Sequence, residues 1–278
     1  MPSLILEGGT FRPIFSAGVM DALLDQDVMF PYCIGVSAGI SNGLSYISKQ
    51  KRRNLEVLEK YRNDQRYIGV RNFLRHRSLF GLDFVFDEIP NTLIPFNKQT
   101  FNSYRGKLVV GVTNAQSGTP EYMNGLDNDE HWTMLRATCA LPLFFPAIEI
   151  NGNKYYDGGL SDPIPIRKAI ADGNDKHLIV LTQPKGYVKS FSKKNAMIGK
   201  VLKRKFPHLE EVLLTRHEKY NETVAFCEQL EKDGQAVILR PNHSLNSLEK
   251  DVNKLRDTNQ HGYDEAMDHI NDIHKLFS

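Results

Sequence analysis

Three short glycine-bearing turns carry, in chain order, candidate backbone donors, a serine and a carboxylate. They are Glu7-Gly8-Gly9-Thr10-Phe11-Arg12, Gly35-Val36-Ser37-Ala38-Gly39 and Tyr155-Tyr156-Asp157-Gly158-Gly159. The Ser37 turn lies between an apolar run and a helical pattern, the context in which a G-x-S-x-G sequence becomes a nucleophile elbow. A sharp strand-to-helix turn strains the serine backbone and projects Oγ past the sheet edge, and small flanking residues let the chain pass. The helix that follows offers unpaired N–H groups and a positive dipole end to developing negative charge. Taken alone, the same residues read equally well as a glycine-rich turn whose serine caps the helix.

The other two turns shift that balance. Gly8 and Gly9 follow the first apolar run, and backbone N–H groups there can converge on an anion as an oxyanion hole requires. A nucleotide-binding turn is the competing reading, but the chain has neither G-x-G-x-x-G nor a P-loop lysine at this point. Asp157-Gly158-Gly159 in isolation is a common β-turn. Three such turns in one chain point to acyl transfer, with Ser37 as nucleophile, Asp157 as base and amides near Gly9 as donors. A carboxylate with an ordinary pKa of about 4 is a poor base for a hydroxyl, so the site must raise that pKa by desolvation or couple proton transfer to attack.

The three motifs in this order resemble patatin-like phospholipases, and the stretch CALPLFFPAIEINGNKYYDGGLSDPIPIRKAI is similar to the bacterial branch of that family. The resemblance covers roughly residues 3–185 and is weak beyond 185. It implies a Ser37–Asp157 dyad without histidine, an oxyanion hole at Gly8, Gly9 and Thr10, and a role for Arg12 in shaping that loop or meeting a phosphate. Gly35, Gly39, Gly158 and Gly159 support the motifs. The family's third glycine is Thr10 here, and the glycine after the arginine is Pro13. Thr10 keeps an N–H that can donate if its φ is negative, whereas Pro13 has none.

Nine histidines leave a Ser-His-Asp triad conceivable. Its usual scaffold places several strands before the elbow, whereas Ser37 follows one strand–helix pair. His131, next to Trp132, is the reserve base. Acyl transfer to an acceptor other than water is a second enzyme reading. A non-catalytic lipid- or phosphate-binding module is a reading of another class, and retention of both Ser37 and Asp157 counts against it.

Positioning these turns requires alternating strands and helices, the pattern of an α/β sheet. Strands are expected at Leu4–Glu7, Phe30–Ile34, Leu108–Thr113 (central), Leu178–Thr182 and Ala236–Leu239. Helices are expected at 15–26, 38–48, 132–139 and 163–171, and again from about 247, where Leu248, Val252 and Leu255 share a face. Ala266, Ile270 and Ile273 follow in a second helical pattern. The expected fold is a three-layer α/β sandwich with a mostly parallel central sheet and helices on both faces, patatin-like. Residues 1–185 form the catalytic core and 186–278 a mostly helical extension packed on the same domain.

The 278 residues are 41% hydrophobic and 24% charged with a net charge of +2, which is ordinary globular composition. Cys33, Cys139 and Cys227 have neither disulfide-framework nor metal-ligand spacing. No metal or other cofactor is expected. The N-terminus lacks signal-peptide features and no apolar run approaches bilayer length, so the expected place is the cytoplasm, with peripheral membrane contact. That contact is assigned to residues 185–205, where Lys185, Lys189, Lys193, Lys194, Lys200, Lys203, Arg204 and Lys205 occur without an acidic residue. Met197, Ile198, Val201 and Leu202 are interleaved with them, which suits an anionic lipid surface; a solvated basic face is the plainer reading. Residues 138–146 (TCALPLFFP) are candidates to line an acyl groove. The expected partner is a lipid or ester substrate, and no nucleic-acid recognition motif accompanies the basic stretch.

Overall fold

Side chains of the strand Pro2–Leu6 (β1) alternate between two cores, Leu4 and Leu6 entering one and Ile5 the other. A strand buried on both faces belongs inside a sheet covered twice. The computed structural model describes residues 1–76 and 78–278 and shows that arrangement. The other strands are Tyr32–Val36 (β2), Lys107–Asn114 (β3), Pro120–Asn124 (β4), Ile148–Ile150 (β5), Asn153–Asp157 (β6), Lys176–Val180 (β7) and Ala236–Leu239 (β8). The sheet order is β5-β6-β3-β2-β1-β7-β8, with β4 on the other edge of β3. From β3 to β8 the neighbours are parallel, while β4, β5 and β6 pair antiparallel.

Helices Ile14–Asp25 (α1), Ser37–Ile47 (α2), Arg53–Tyr61 (α3), Val70–His76 (α4), Lys98–Ser103 (α5) and Thr133–Thr138 (α6) occupy the first half, together with a π-helical segment at Phe84–Leu93. Ile166–Ala171 (α7), Lys193–Leu202 (α8), His208–Lys232 (α9), Val252–Asp268 (α10) and Ile270–Lys275 (α11) complete the chain. Phe15, Ile40, Ala266 and Ile273 pack with Leu4 and Leu178 on one face of the sheet. Ile166, Tyr220, Cys227 and Leu230 pack with Ile5 and Ile179 on the other. The three-layer α/β sandwich expected from the sequence is therefore present.

The C-terminal third is woven into this core. β8 extends the sheet, α9 covers one face and α10 the other. At the α1–α10 crossing the backbones touch: a Cβ on Gly18 would lie 1.8 Å from the Asn259 oxygen, and one on Gly262 would lie 2.0 Å from the Phe15 oxygen.

Several boundaries move for identifiable reasons. β2 begins at Tyr32 rather than Phe30, because Pro31 has no N–H to place in a ladder. The helix expected from 163 starts at Ile166, with Pro165 in the flanking position. The helix expected from 247 starts at Val252, where the Asp251 side chain caps the Asn253 N–H at 2.9 Å, leaving Leu248 half exposed before it. Within 185–205, Ile198 and Leu202 are buried, while Met197 and Val201 remain exposed. No helix among the described residues is long and apolar enough to cross a membrane.

Candidate active site

Ser37 sits where β2 ends and α2 begins, with φ +54°. A non-glycine residue in the left-handed region costs about 1–2 kcal/mol, and such outliers concentrate at functional sites. The surroundings enforce the turn. A Cβ on Gly39 would lie 2.3 Å from the Glu7 oxygen, and one on Gly35 would lie 2.6 Å from the Leu6 oxygen. The Ser37 N–H is already engaged, donating to Thr138 Oγ1 at 2.9 Å, while that hydroxyl donates to the Gly111 oxygen at 2.6 Å.

β3 sets the distance between the serine and the aspartate. Val36 of β2 pairs with Gly111, and Asp157 of β6 pairs with Val112, the next residue of the same strand. β4 already holds the opposite edge of β3 over these positions, since Tyr122 pairs with Gly111 and Glu121 with Val112. Hence β6 enters head-on where β2 leaves. Gly158 must be glycine for this meeting, because a Cβ there would lie 2.2 Å from the Gly111 oxygen. The Asp157 N–H donates to the Ala140 oxygen at 2.9 Å, so the segment Thr138–Ala140 holds both residues.

Asp157 is 3% exposed, and burial pushes its carboxyl up from 3.8 to about 6. Opposing that rise are the facing Ser37 hydroxyl, the Gly159 N–H donating at 2.8 Å and the charge of Arg216. The Ser37 hydroxyl faces the Asp157 carboxylate closely enough to favour its ionised form. Arg216 reaches in from α9, its Nε donating to the Gly159 oxygen at 2.7 Å, so one guanidinium both anchors the turn and tempers its carboxylate. The neighbouring Cys139 thiol is pushed up to about 12 by burial and the Asp157 charge, so it stays neutral beside the serine.

The Gly8-Gly9-Thr10 loop lies against the elbow, a Cβ on Gly8 falling 2.8 Å from Ser37 Cβ. Gly9 has φ +154°, and a Cβ there would lie 2.9 Å from Arg12 Nε, which packs over the loop. Thr10 has φ +59°. The negative φ on which its donor was conditioned is thus not adopted, and the threonine takes the backbone shape that a glycine would. Among the described residues, no protein acceptor takes the N–H of Gly8, Gly9 or Thr10.

Two cavities share Ser37, Thr10 and Leu141. One, of about 190 Å³, is apolar and walled by Ile14, Leu44, Val57, Phe86, Trp132 and Phe145, among others. The other, of about 260 Å³, has a mixed lining that includes Asp157, Arg12, Lys189, Lys194 and Arg216 beside Phe144, Leu160 and Leu213. The 138–146 segment contributes Cys139, Leu141 and Phe145 to the first, and Leu141, Pro142 and Phe144 to the second. No histidine lines either cavity among the described residues. His131, the reserve base, is 73% exposed and faces Asp87 at 3.5 Å.

Sequence reasoning missed Gly111, Lys189, Lys194 and Arg216 as parts of this site, and placed Thr138 in a groove-lining segment without its hydrogen bond to Ser37. Arg216 carried a usable signal. The buried stripe of α9 runs Leu209, Leu213, Tyr220, Cys227, Leu230, and Arg216 falls in step with it, a charge where periodicity calls for an apolar residue. Thr138 and Gly111 had no local signal, because their role is a register between distant strands.

A family model described as patatin-like phospholipase matches residues 4–170, and one described as a domain of unknown function (DUF6363) matches residues 206–278. The chain is 28% identical over 189 residues to the Escherichia coli (strain K12) protein YjjU, described as uncharacterized, covering 66% of this chain and 52% of that protein. It is 25% identical over 172 residues to lysophospholipase nte1 of Aspergillus terreus, covering 59% of this chain and 10% of that protein. The chain thus spans about half the length of the first relative and a small part of the second. Among solved structures, VipD from Legionella pneumophila aligns with a TM-score of 0.48 at 13% identity, over 96% of this chain and 66% of that one.

Proposed function

The chain belongs to the patatin-like phospholipase family, and from that premise we propose that it is a serine esterase cleaving carboxylic esters of lipids through Ser37 and Asp157. The observation that carries the reading is the β3 register, which puts the end of β2 and Asp157 at consecutive residues, Gly111 and Val112.

The chemistry follows from the groups present. Asp157, ionised above pH about 6, accepts the Ser37 proton as Oγ attacks the ester carbonyl carbon. The carbonyl π pair moves onto oxygen, and the unpaired N–H groups of Gly8 and Gly9 receive that charge, Thr10 having left the negative φ on which its donor was conditioned. Collapse expels the alcohol, which takes the proton from Asp157, and leaves an acyl-enzyme. Water then attacks, giving its proton to Asp157, and Ser37 Oγ departs with that proton. Each oxyanion donor is worth about 3 kcal/mol, so the loop accounts for a large share of the rate. The apolar cavity of about 190 Å³ exceeds the roughly 150 Å³ that accepts a benzene-sized guest and suits an acyl chain. The catalytic core is 1–185, and 186–278 is integral to it, since α9 supplies the arginine behind Asp157.

Hydrolysis of p-nitrophenyl esters of increasing chain length tests this reading. Wild type turns them over, and Ser37→Ala and Asp157→Ala, both folded, do not. Activity that survives both substitutions removes the mechanism and moves the non-catalytic binding module ahead.

Peripheral contact with an anionic membrane is part of the proposal. Val188, Phe191, Met197 and Val201 are exposed on the same basic segment as Lys193 and Lys200, which supports interfacial docking. Liposome sedimentation should rise with anionic lipid and fall with salt; indifference to both contradicts it.

A further inference from the structure

The apolar cavity ends on polar groups that an ordinary acyl chain cannot use. Ser37, Ser41 and Leu44 of α2 all line it, so it follows that helix for two turns, about 10 Å at 1.5 Å per residue. Arg53, at the start of α3, lines the same cavity. Its neighbour Asn54 accepts from Ser45 Oγ at 2.8 Å and donates to the Asn42 oxygen at 3.0 Å. Those bonds hold Arg53 beside the later turns of α2, away from Ser37.

Arg53 is a mostly buried cation without a counter-ion. Among the described residues its guanidinium makes one hydrogen bond, from Nη2 to the Ile94 oxygen at 2.9 Å, and no ion pair. Glu56, whose charge reaches it, pairs with Lys60 instead. Nε is buried with no partner. Burial pushes the guanidinium down to about 10, which leaves it charged at neutral pH. No carboxylate lines the cavity among the described residues, so this charge stands alone there.

Trp132 brings a second unused donor to the same cavity. It is 5% exposed, held at φ +53°, and its Nε1 is buried with no partner. Phe96 joins the two residues: Arg53 Cζ lies 5.4 Å from its ring centroid, and the Trp132 ring meets it edge-on at 5.2 Å. Orphaned buried donors are rare in folded proteins and cost roughly 1–3 kcal/mol each, a cost that an acceptor on a ligand removes.

We propose that Arg53 and Trp132 recognise the far end of the acyl chain, and that the preferred esters carry a carboxylate there, as half-esters of dicarboxylic acids do. This rests on the esterase reading and deepens it by naming the acyl class. The span along α2 matches about eight bonds of an extended chain. A plain chain of that length sets a methyl group against an unpaired cation. A terminal carboxylate instead makes a charge-assisted pair in a water-poor site, and sites built around such a pair reject analogues that lack it.

Calorimetric titration of the Ser37→Ala protein tests the recognition without requiring turnover. The probes are monomethyl nonanedioate and its uncharged analogue, methyl 9-hydroxynonanoate. The acid binds at least tenfold more tightly, Arg53→Met erases the difference, and Arg53→Lys keeps part of it. Trp132→Phe, which removes the N–H and keeps an aromatic ring, weakens binding of the acid several-fold. Equal binding of the two probes, binding of neither, or a preference that survives Arg53→Met overturns the proposal. The comparison of probes stands even where a variant fails to fold.

In active enzyme, kcat/KM for mono-p-nitrophenyl nonanedioate exceeds that for p-nitrophenyl nonanoate at least tenfold, and Arg53→Met brings the ratio towards one. An arginine that merely clamps the Ile94 oxygen would change both rates alike, and an unchanged ratio also overturns the proposal. Preferential binding of the acid without hydrolysis of either ester keeps the recognition site and sinks the esterase. Hydrolysis of both esters at equal rates does the reverse.

Discussion

Ser37 and Asp157 meet because a third strand measures both: β2 releases the serine beyond Gly111 of β3, and β6 delivers the aspartate at Val112. The aspartate is buried, its carboxyl rises to about 6, and the serine is held at φ +54° facing it. The acidity of one group and the strain of the other are properties of the fold.

A base with a folded-state pKa of about 6 gives kcat/KM an acid limb near pH 6 and a plateau above it. Arg216 lowers that value by its charge, so Arg216→Met moves the limb to higher pH and Arg216→Lys largely restores it. pH–rate profiles of the three proteins check this. A merely structural arginine would reduce activity without moving the limb.

Burying an ionised carboxylate costs stability, with a sign that can be read from pH. Asp157 has the same proton in folded and unfolded states below 3.8, and between 3.8 and about 6 the unfolded state ionises first. Stability from this group is therefore complete below 3.8 and lost as pH rises towards 6. Asp157→Asn keeps an acceptor for the Gly159 N–H and escapes the penalty. It is expected to be inactive yet more stable than wild type by up to about 3 kcal/mol at pH 8, the difference vanishing by pH 3.5. Thermal melts at the two pH values decide it.

The glycine loop separates backbone shape from side-chain identity. Thr10 already adopts φ +59°, so Thr10→Gly keeps the N–H and its direction and retains activity within a few-fold. Gly9→Ala puts a Cβ 2.9 Å from Arg12 Nε at φ +154° and turns the donor away. Its kcat falls by about 100-fold or more, the worth of one oxyanion donor. Equal effects of the two changes in steady-state assays would count against the loop as the oxyanion hole.

Val57 lines the apolar cavity. Val57→Phe adds volume inside it and shifts the preferred acyl chain of a p-nitrophenyl ester series to shorter lengths, leaving acetate turnover nearly unchanged. A uniform loss across the series would mean that the acyl chain lies elsewhere.

The elbow, the glycine loop and the Asp-Gly-Gly turn were legible because each is a local conformational demand written in glycines. The three-layer sandwich was legible because β1, β2 and β7 are apolar on both faces. The antiparallel strands β4 and β5 were not, being short and half exposed. The π-helical segment Phe84–Leu93 escaped as well, since Pro90 interrupts its pattern. The cations behind Asp157 come from α9 and the Lys185–Lys205 stretch, where lysines on a basic run look like solvated charge until the sheet places them. The membrane expectation for that run changes in composition: Ile198 and Leu202 serve the core, and Val188 and Phe191 join the exposed set.

Labelling with an alkyl fluorophosphonate, located by peptide mass spectrometry, tests the central claim most directly, because the reagent modifies only an activated serine. The dyad predicts one adduct per chain, on Ser37, absent from Ser37→Ala and formed at least 100-fold more slowly in Asp157→Ala. Absence of an adduct, an adduct on another serine, or an undiminished rate in Asp157→Ala would contradict it.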